Sequence, residues 1–128
     1  MQYHSRRLVK YGDLNAAERL FGGTLLAWID EEAVIFASCR LGSKRLVTKF
    51  MSEINFVSPG KLGDIIELGV EATAVGTTSL TMRCNVRNKD TLQTILDIER
   101  IVFVCVDEQG QPRAHGKQPE DLGLPARR

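Results

Sequence analysis

Asp30 is the residue whose chemical type least fits its surroundings. From Gly22 to about Arg40 there is no proline; Leu, Ala, Ile, Val and Phe predominate, and Gly42 gives a stop signal. At roughly 100° per residue, Leu25, Leu26, Ile29, Ala33, Phe36 and Ala37 share one face of a helix. Asp30 sits at the edge of that face, beside Leu26, Ala33, Val34 and Ala37. A carboxylate there loses hydration and becomes a stronger base unless a donor compensates. An acid early in a helix is also favoured by the dipole, and a salt bridge would hold it equally well. Just upstream, Gly22 and Gly23 open the helix. Glycines there supply unusual backbone angles or let a ligand approach the first unpaired amides. Asn15 precedes Ala16, Ala17 and Glu18, so it can cap a single helical turn with Glu18 at the capping-box position.

The elements that must position these residues follow from periodicity. Arg6 to Val9 reads as a first short strand, followed by a loop and the long helix. Ala27, Trp28, Val34 and Ile35 add apolar surface on its other sides, the pattern of a buried helix. After Gly42 the chain turns to strand periodicity: Leu46 to Val57, Ile65 to Val75, Leu80 to Val86 and Gln93 to Val106. Leu80, Met82, Cys84 and Val86 alternate cleanly with Thr81, Arg83 and Asn85. Ile101 to Val106 is apolar throughout, which predicts burial on both faces. Tight turns between successive strands make antiparallel hairpins. An apolar helix is best hidden if one sheet curls around it, so the expected class is α+β, a curved antiparallel sheet wrapped around one long buried helix. One domain is expected over residues 1–128, with a core of about 6–116 and a flexible tail at 117–128 that can serve subunit contacts.

Composition narrows the function classes. The 128 residues carry 43% hydrophobic and 26% charged side chains with a formal net charge of +1, which fits a globular domain and gives no global drive toward nucleic acid or an anionic membrane. No apolar run is long enough to span a bilayer and no signal-peptide pattern is present, so the expected location is cytoplasmic. Three cysteines, Cys39, Cys84 and Cys105, lie far apart without paired spacing. That argues against a disulfide framework and against a zinc site, and no metal is expected. Buried, inert thiols are the reading for all three.

Asn15, Phe21-Gly22-Gly23 and Trp28-Ile29-Asp30 together resemble the hotdog-fold acyl-CoA thioesterases, in particular the bacterial acyl-CoA hydrolases similar to the eukaryotic acyl-CoA thioesterase repeats. Arg45 to Thr48, Asn55-Phe56-Val57-Ser58-Pro59, Gly63-Asp64, Gly76-Thr77-Thr78-Ser79, and Phe103 to Asp107 with Gly110 and Pro112-Arg113-Ala114 extend the likeness over about residues 8 to 116. The resemblance implies a hotdog fold, a homodimer or an assembly of dimers, and active sites at the subunit interface. It implies Asp30 as general base or nucleophile from one chain and Asn15 from the other. The amides around Gly22 and Gly23 would serve as oxyanion donors, an arrangement that helix N-termini favour. Coenzyme A is then part of the substrate and no separate cofactor is implied. The same likeness makes Thr77, Thr78 and Ser79 neighbours of the pantetheine arm, although turn formation explains them as simply. Arg45 and Lys89, with Lys49, Arg83 and Arg87, are candidates for the coenzyme A phosphates; a solvated strand face accounts for them equally. Trp28 reads as core or interface. The family pattern often has glycine three residues after the asparagine, where this chain has Glu18.

Two functions compete with hydrolysis. A hotdog dehydratase needs a histidine with an acid, and His4 and His115 lie far from the helix in sequence. A non-catalytic acyl-CoA binding or sensing module is the alternative from another class, since fold does not fix function.

Overall fold

The computed structural model describes residues 1–126. Its elements are β1 (Tyr3–Leu8), α1 (Gly22–Leu41), β2 (Leu46–Met51), β3 (Ile54–Phe56), β4 (Ile65–Val75), β5 (Ser79–Asn88) and β6 (Thr94–Cys105), with 3-10 turns at Tyr11–Asp13 and Pro119–Leu122. All strand pairs are antiparallel, in the order β1-β4-β5-β6-β2, and β3 continues the β2 edge by pairing with β6. Helix α1 lies on one face of this sheet.

The helix is docked by a narrow row. Leu25, Ile29, Ala33, Ala37 and Leu41 are its buried residues, each four positions from the last. They meet Leu68, Met82, Val86, Ile98, Ile101 and Phe103 in one cluster. Ala33 and Ala37 are fully covered, so the helix approaches the sheet closely where they lie. Burying Leu25 or Ile29 contributes about 1.5–3 kcal/mol each. A larger side chain at Ala33 would overpack this contact, at roughly 1–3 kcal/mol. Gly42 ends the helix in the left-handed conformation, φ 69°, where glycine carries no Cβ penalty.

Three expectations need correcting. The helix is not buried all round: Leu26 and Phe36 are half-covered and Ile35 is half-exposed. Leu46 to Val57 is two strands, because Ser52 leaves the ladder to bond Arg100 where the β5–β6 register shifts; its N–H donates to the Arg100 carbonyl and its Oγ accepts from the Arg100 N–H. The segment after residue 117, expected as a flexible tail to 128, is docked as far as Leu124: Pro119 is buried, and Leu122 and Leu124 pack against the core, while 127–128 lie outside the described residues.

Candidate active site

Asp30 lies two turns into α1, half-buried on the flank of the docked row. Its Oδ1 accepts a hydrogen bond of 2.7 Å from Thr48 Oγ1. Thr48 is opposite the buried Phe103 in the β2–β6 ladder, so it shares the helix-facing side of the sheet. The register slips between Thr48 and Phe50, a bulge of the kind that re-aims side chains beside functional sites. Thr48 Oγ1 is the donor that compensates the carboxylate. No other hydrogen bond or ion pair reaches Asp30 among the described residues, which leaves Oδ2 open as an acceptor.

At the start of α1 the amides of Gly22, Gly23 and Thr24 have no acceptor among the described residues. Phe21, in the capping position, gives no side-chain bond, and its own N–H is taken by the Asp13 carbonyl. Two rings press on the glycines: a Cβ on Gly22 would meet the Phe56 ring at 3.3 Å, and one on Gly23 would meet the Phe21 ring at 2.8 Å. Three preorganised donors therefore sit at a positive helix end, beside two half-exposed aromatic rings.

The Asn15 loop is held by its own side chain. Asn15 Oδ1 accepts from the N–H groups of Ala17 at 2.9 Å and Arg19 at 3.1 Å, and a Leu14–Leu20 bridge closes the loop. The expected helical turn is a non-helical loop, and Glu18 does not form the capping box. Glu18 instead adopts φ 61°, the left-handed conformation that glycine takes without strain. The departure from the family pattern thus keeps the backbone shape that glycine would give. Asn15 lines an open cavity of about 530 Å³, whose apolar wall is Tyr11, Leu14 and Leu62. Asp30 lines none of the described cavities, and within one chain no bond joins it to Asn15.

The remaining candidates are dispersed. The carbonyls of Thr77 and Thr78 accept from the N–H groups of His115 and Cys105, and the Ser79 carbonyl accepts from Gly76 N–H; all three residues stabilise the turn before β5. His115 has both ring nitrogens engaged by backbone groups, Nδ1 accepting from Lys117 N–H and Nε2 donating to the Ser79 carbonyl. Arg45 pairs with Glu108 at 3.6 Å and Lys89 with Asp90 at 3.4 Å. Arg83 meets Glu71 and Asp97, and Arg87 meets Glu67. Lys49, at the bulge, has no ion pair among the described residues. Trp28 is half-buried against the core with the Arg7 guanidinium 6.0 Å from its ring centroid.

On the sheet face away from the helix, Glu67 is 5% exposed and held by Arg6 at 3.1 Å and Arg87 at 3.0 Å. Burial alone would push its carboxyl up, but the bonds from Arg87 and Arg6 prevail and hold it below its ordinary value of 4.5. Burial, then the charges of Asp97 and Glu32, push the Cys84 thiol up to about 12, which removes it as a nucleophile. Cys105 is also buried. Cys39 corrects the sequence reading: it is exposed, because it lies off the docked row of α1. No group of three or more His, Cys, Asp and Glu side chains suited to a metal ion occurs among the described residues.

A family model described as the thioesterase superfamily matches residues 18–95, from the Asn15 loop to the start of β6. The chain belongs to the thioesterase superfamily. Acyl-CoA thioester hydrolase YciA of Escherichia coli is similar to it, 30% identical over 85% of this chain and 86% of its own. A hexameric thioesterase of Yersinia pestis shares the hotdog architecture, with a TM-score of 0.80, 26% identity, and coverage of 88% of this chain and 93% of that one. An acyl-CoA hydrolase from Staphylococcus aureus, solved with butyryl coenzyme A and coenzyme A, gives a TM-score of 0.76 and 32% identity over 86% of this chain and 66% of that one. The Staphylococcus enzyme has also been solved with an aspartate replaced by alanine and, bound to coenzyme A, with an asparagine replaced by alanine.

Sequence reasoning on this thioesterase missed Thr48 as a partner of Asp30. Its signal was a lone hydroxyl among the apolar residues between Leu46 and Met51.

Proposed function

We propose that this thioesterase is an acyl-CoA thioester hydrolase, releasing a free carboxylic acid and coenzyme A. The observation that carries the reading is the half-buried Asp30 carboxylate, fixed by Thr48 through one oxygen and open at the other. Such a group takes a proton from water while the water oxygen attacks the thioester carbonyl carbon. The carbonyl π electrons move onto oxygen, where the Gly22 and Gly23 amides would hold them. Collapse breaks the C–S bond and expels the coenzyme A thiolate, which takes up the proton held by Asp30 and so restores the carboxylate. Direct attack by Asp30 is the other route, with the resulting anhydride hydrolysed by water. In the Staphylococcus enzyme the replaced asparagine and aspartate stand as many positions apart as Asn15 and Asp30 do here, which supports both assignments.

Helix geometry favours a site shared between two copies of the chain. Eight residues separate Gly22 from Asp30, about 12 Å along an α-helix, too far for one thioester carbonyl to meet both in the same chain. A two-fold partner resolves this by bringing its own helix start beside Asp30. The edge formed by β2 and β3 suits that contact: Val47, Phe50, Phe56 and Val57 are 43–61% exposed along it. We therefore propose a homodimer as the minimal unit, with hexamers built from dimers consistent with the Yersinia relative; a monomeric mass in light scattering contradicts this. Among the described residues no helix is long and apolar enough to cross a membrane. Three free cysteines suit a reducing compartment such as the cytoplasm, which we propose as its location.

Thiol release from coenzyme A thioesters ranging from acetyl to palmitoyl tests the activity. Turnover of any part of the series supports a hydrolase. Binding without turnover across the whole series leaves the acyl-CoA binding module instead.

A further inference from the structure

The second half of β4 has a strand on one side only. β1 pairs with β4 from Ile65 to Gly69, whereas β5 follows it to Val75. Val70 to Val75 therefore forms an open edge on the β1 side of the sheet, away from β2 and β3. Residues Ala72 to Val75 carry no charge and no proline, and Thr73 and Ala74 are exposed. An uncharged open edge is a template for a strand of another molecule. The C-terminal segment lies over it. Its turn at Pro119–Leu122 is closed by bonds from Gln118 N–H to Asp121 Oδ2 at 2.8 Å and from Leu124 N–H to the Pro119 carbonyl at 2.9 Å. Leu122 and Leu124 pack against the core. Leu124 lines two cavities against β4, one of about 330 Å³ with Phe36, Val70 and Ala72, the other of about 260 Å³ with Pro119, Ala74 and Val75. No backbone hydrogen bond joins the segment to β4 among the described residues. Pro119 and Pro125 also lack the N–H that a pairing strand needs. The segment covers the edge with side chains and does not extend the sheet.

We propose that residues 118–125 form a strap that keeps the open edge of β4 from pairing with the same edge of a second copy. Such pairing is two-fold and self-complementary, one β4 lying antiparallel to the other. On its own it doubles the mass of whatever assembly carries the edge. Combined with the proposed contact through β2 and β3, it gives two separate sticky edges per chain, and an array joined at both does not close. The register shift between Ala72 and Ala74 bends the same stretch, a second device that blunts an edge. The strap is independent of the hydrolase reading, because it concerns the edge of the sheet away from Asp30 and Thr48.

The test releases the strap in the full-length chain and reads the assembly mass. Leu122→Asn with Leu124→Asn replaces both apolar anchors, and light scattering follows the mass over a series of micromolar concentrations. The mass should at least double relative to the wild type and rise further with concentration. Adding Ala74→Lys to the double variant should return the mass to the wild-type value, because a lysine on an edge strand opposes pairing. A folded double variant that keeps the wild-type mass at every concentration overturns the proposal. Growth that persists with Ala74→Lys also overturns it, since exposed core and not the strand edge then drives association. Far-UV circular dichroism checks the fold. Should the double variant lose it, Leu124→Asn alone, with and without Ala74→Lys, is read by the same two criteria.

Discussion

Asp30 Oδ1 and Thr48 Oγ1 are 2.7 Å apart, and they join the middle of α1 to the edge strand β2 of the sheet. A hydroxyl donating to one carboxylate oxygen fixes the direction of the other. Thr48→Val keeps the shape of the side chain and removes that donor. We expect kcat for butyryl-CoA to fall by about tenfold, the equivalent of a bond to a charged group of roughly 1.5 kcal/mol. Thr48→Ser should retain most of the activity. Equal losses in Thr48→Val and Thr48→Ser would show that strand packing, and not the hydrogen bond, is what matters.

Glu18 holds a left-handed backbone at φ 61° without the freedom of glycine. Glu18→Gly should therefore raise stability by up to about 1 kcal/mol, read as the denaturant midpoint at unchanged m-value. Glu18→Val should lower it, because a β-branched side chain tolerates this conformation poorly. A less stable Glu18→Gly would mean that the carboxylate makes a contact worth more than the backbone strain.

The ion pairs at Glu67 give a pH dependence of known sign. Its folded carboxyl is held below 4.5, so the stabilisation is fully present above that value and is lost as pH falls through the folded one. Thermal melts from pH 7 down to pH 3 should show a decline that is shallower in Glu67→Gln. The variant should also melt lower than the wild type at pH 7, since Arg6 and Arg87 lose their shared partner. Parallel pH profiles for the two proteins would contradict the assignment.

Cysteine reactivity should follow exposure. A maleimide under native conditions should label Cys39 alone and leave thioester turnover intact, because Cys84 and Cys105 are buried. Peptide mapping after quenching identifies the labelled site. Rapid labelling of Cys84 would contradict its burial.

Much of the fold is legible in the sequence, and what is not has physical causes. The α1 and β4 boundaries follow from local signals, the Gly42 stop and the turns at Gly63 and Gly76. Asp30 stands out because, of the three successive acids Asp30, Glu31 and Glu32, it is the one that falls at the edge of the apolar face. The division of β2 from β3 is hidden because its cause, the Ser52–Arg100 pairing, lies on a strand far away in sequence. Arg83 and Arg87 look available for phosphate in the sequence because Glu71 and Glu67 face them only once the neighbouring strand is in place. The exposure of Cys39 depends on which row of an almost wholly apolar helix meets the sheet, and composition does not choose between rows. Thr48 needs the same cross-element knowledge: its role exists only once β2 is laid beside α1.

The most direct test of Asp30 as the reacting group is the turnover of Asp30→Asn with butyryl-CoA, followed by thiol release. Asparagine keeps the size and the bond from Thr48 while removing the charge and the basicity. If Asp30 is base or nucleophile, kcat should fall by about 10²–10⁴, while coenzyme A affinity, assembly size and melting behaviour stay near those of the wild type. A folded, assembled Asp30→Asn protein that hydrolyses butyryl-CoA at the wild-type rate would contradict that role.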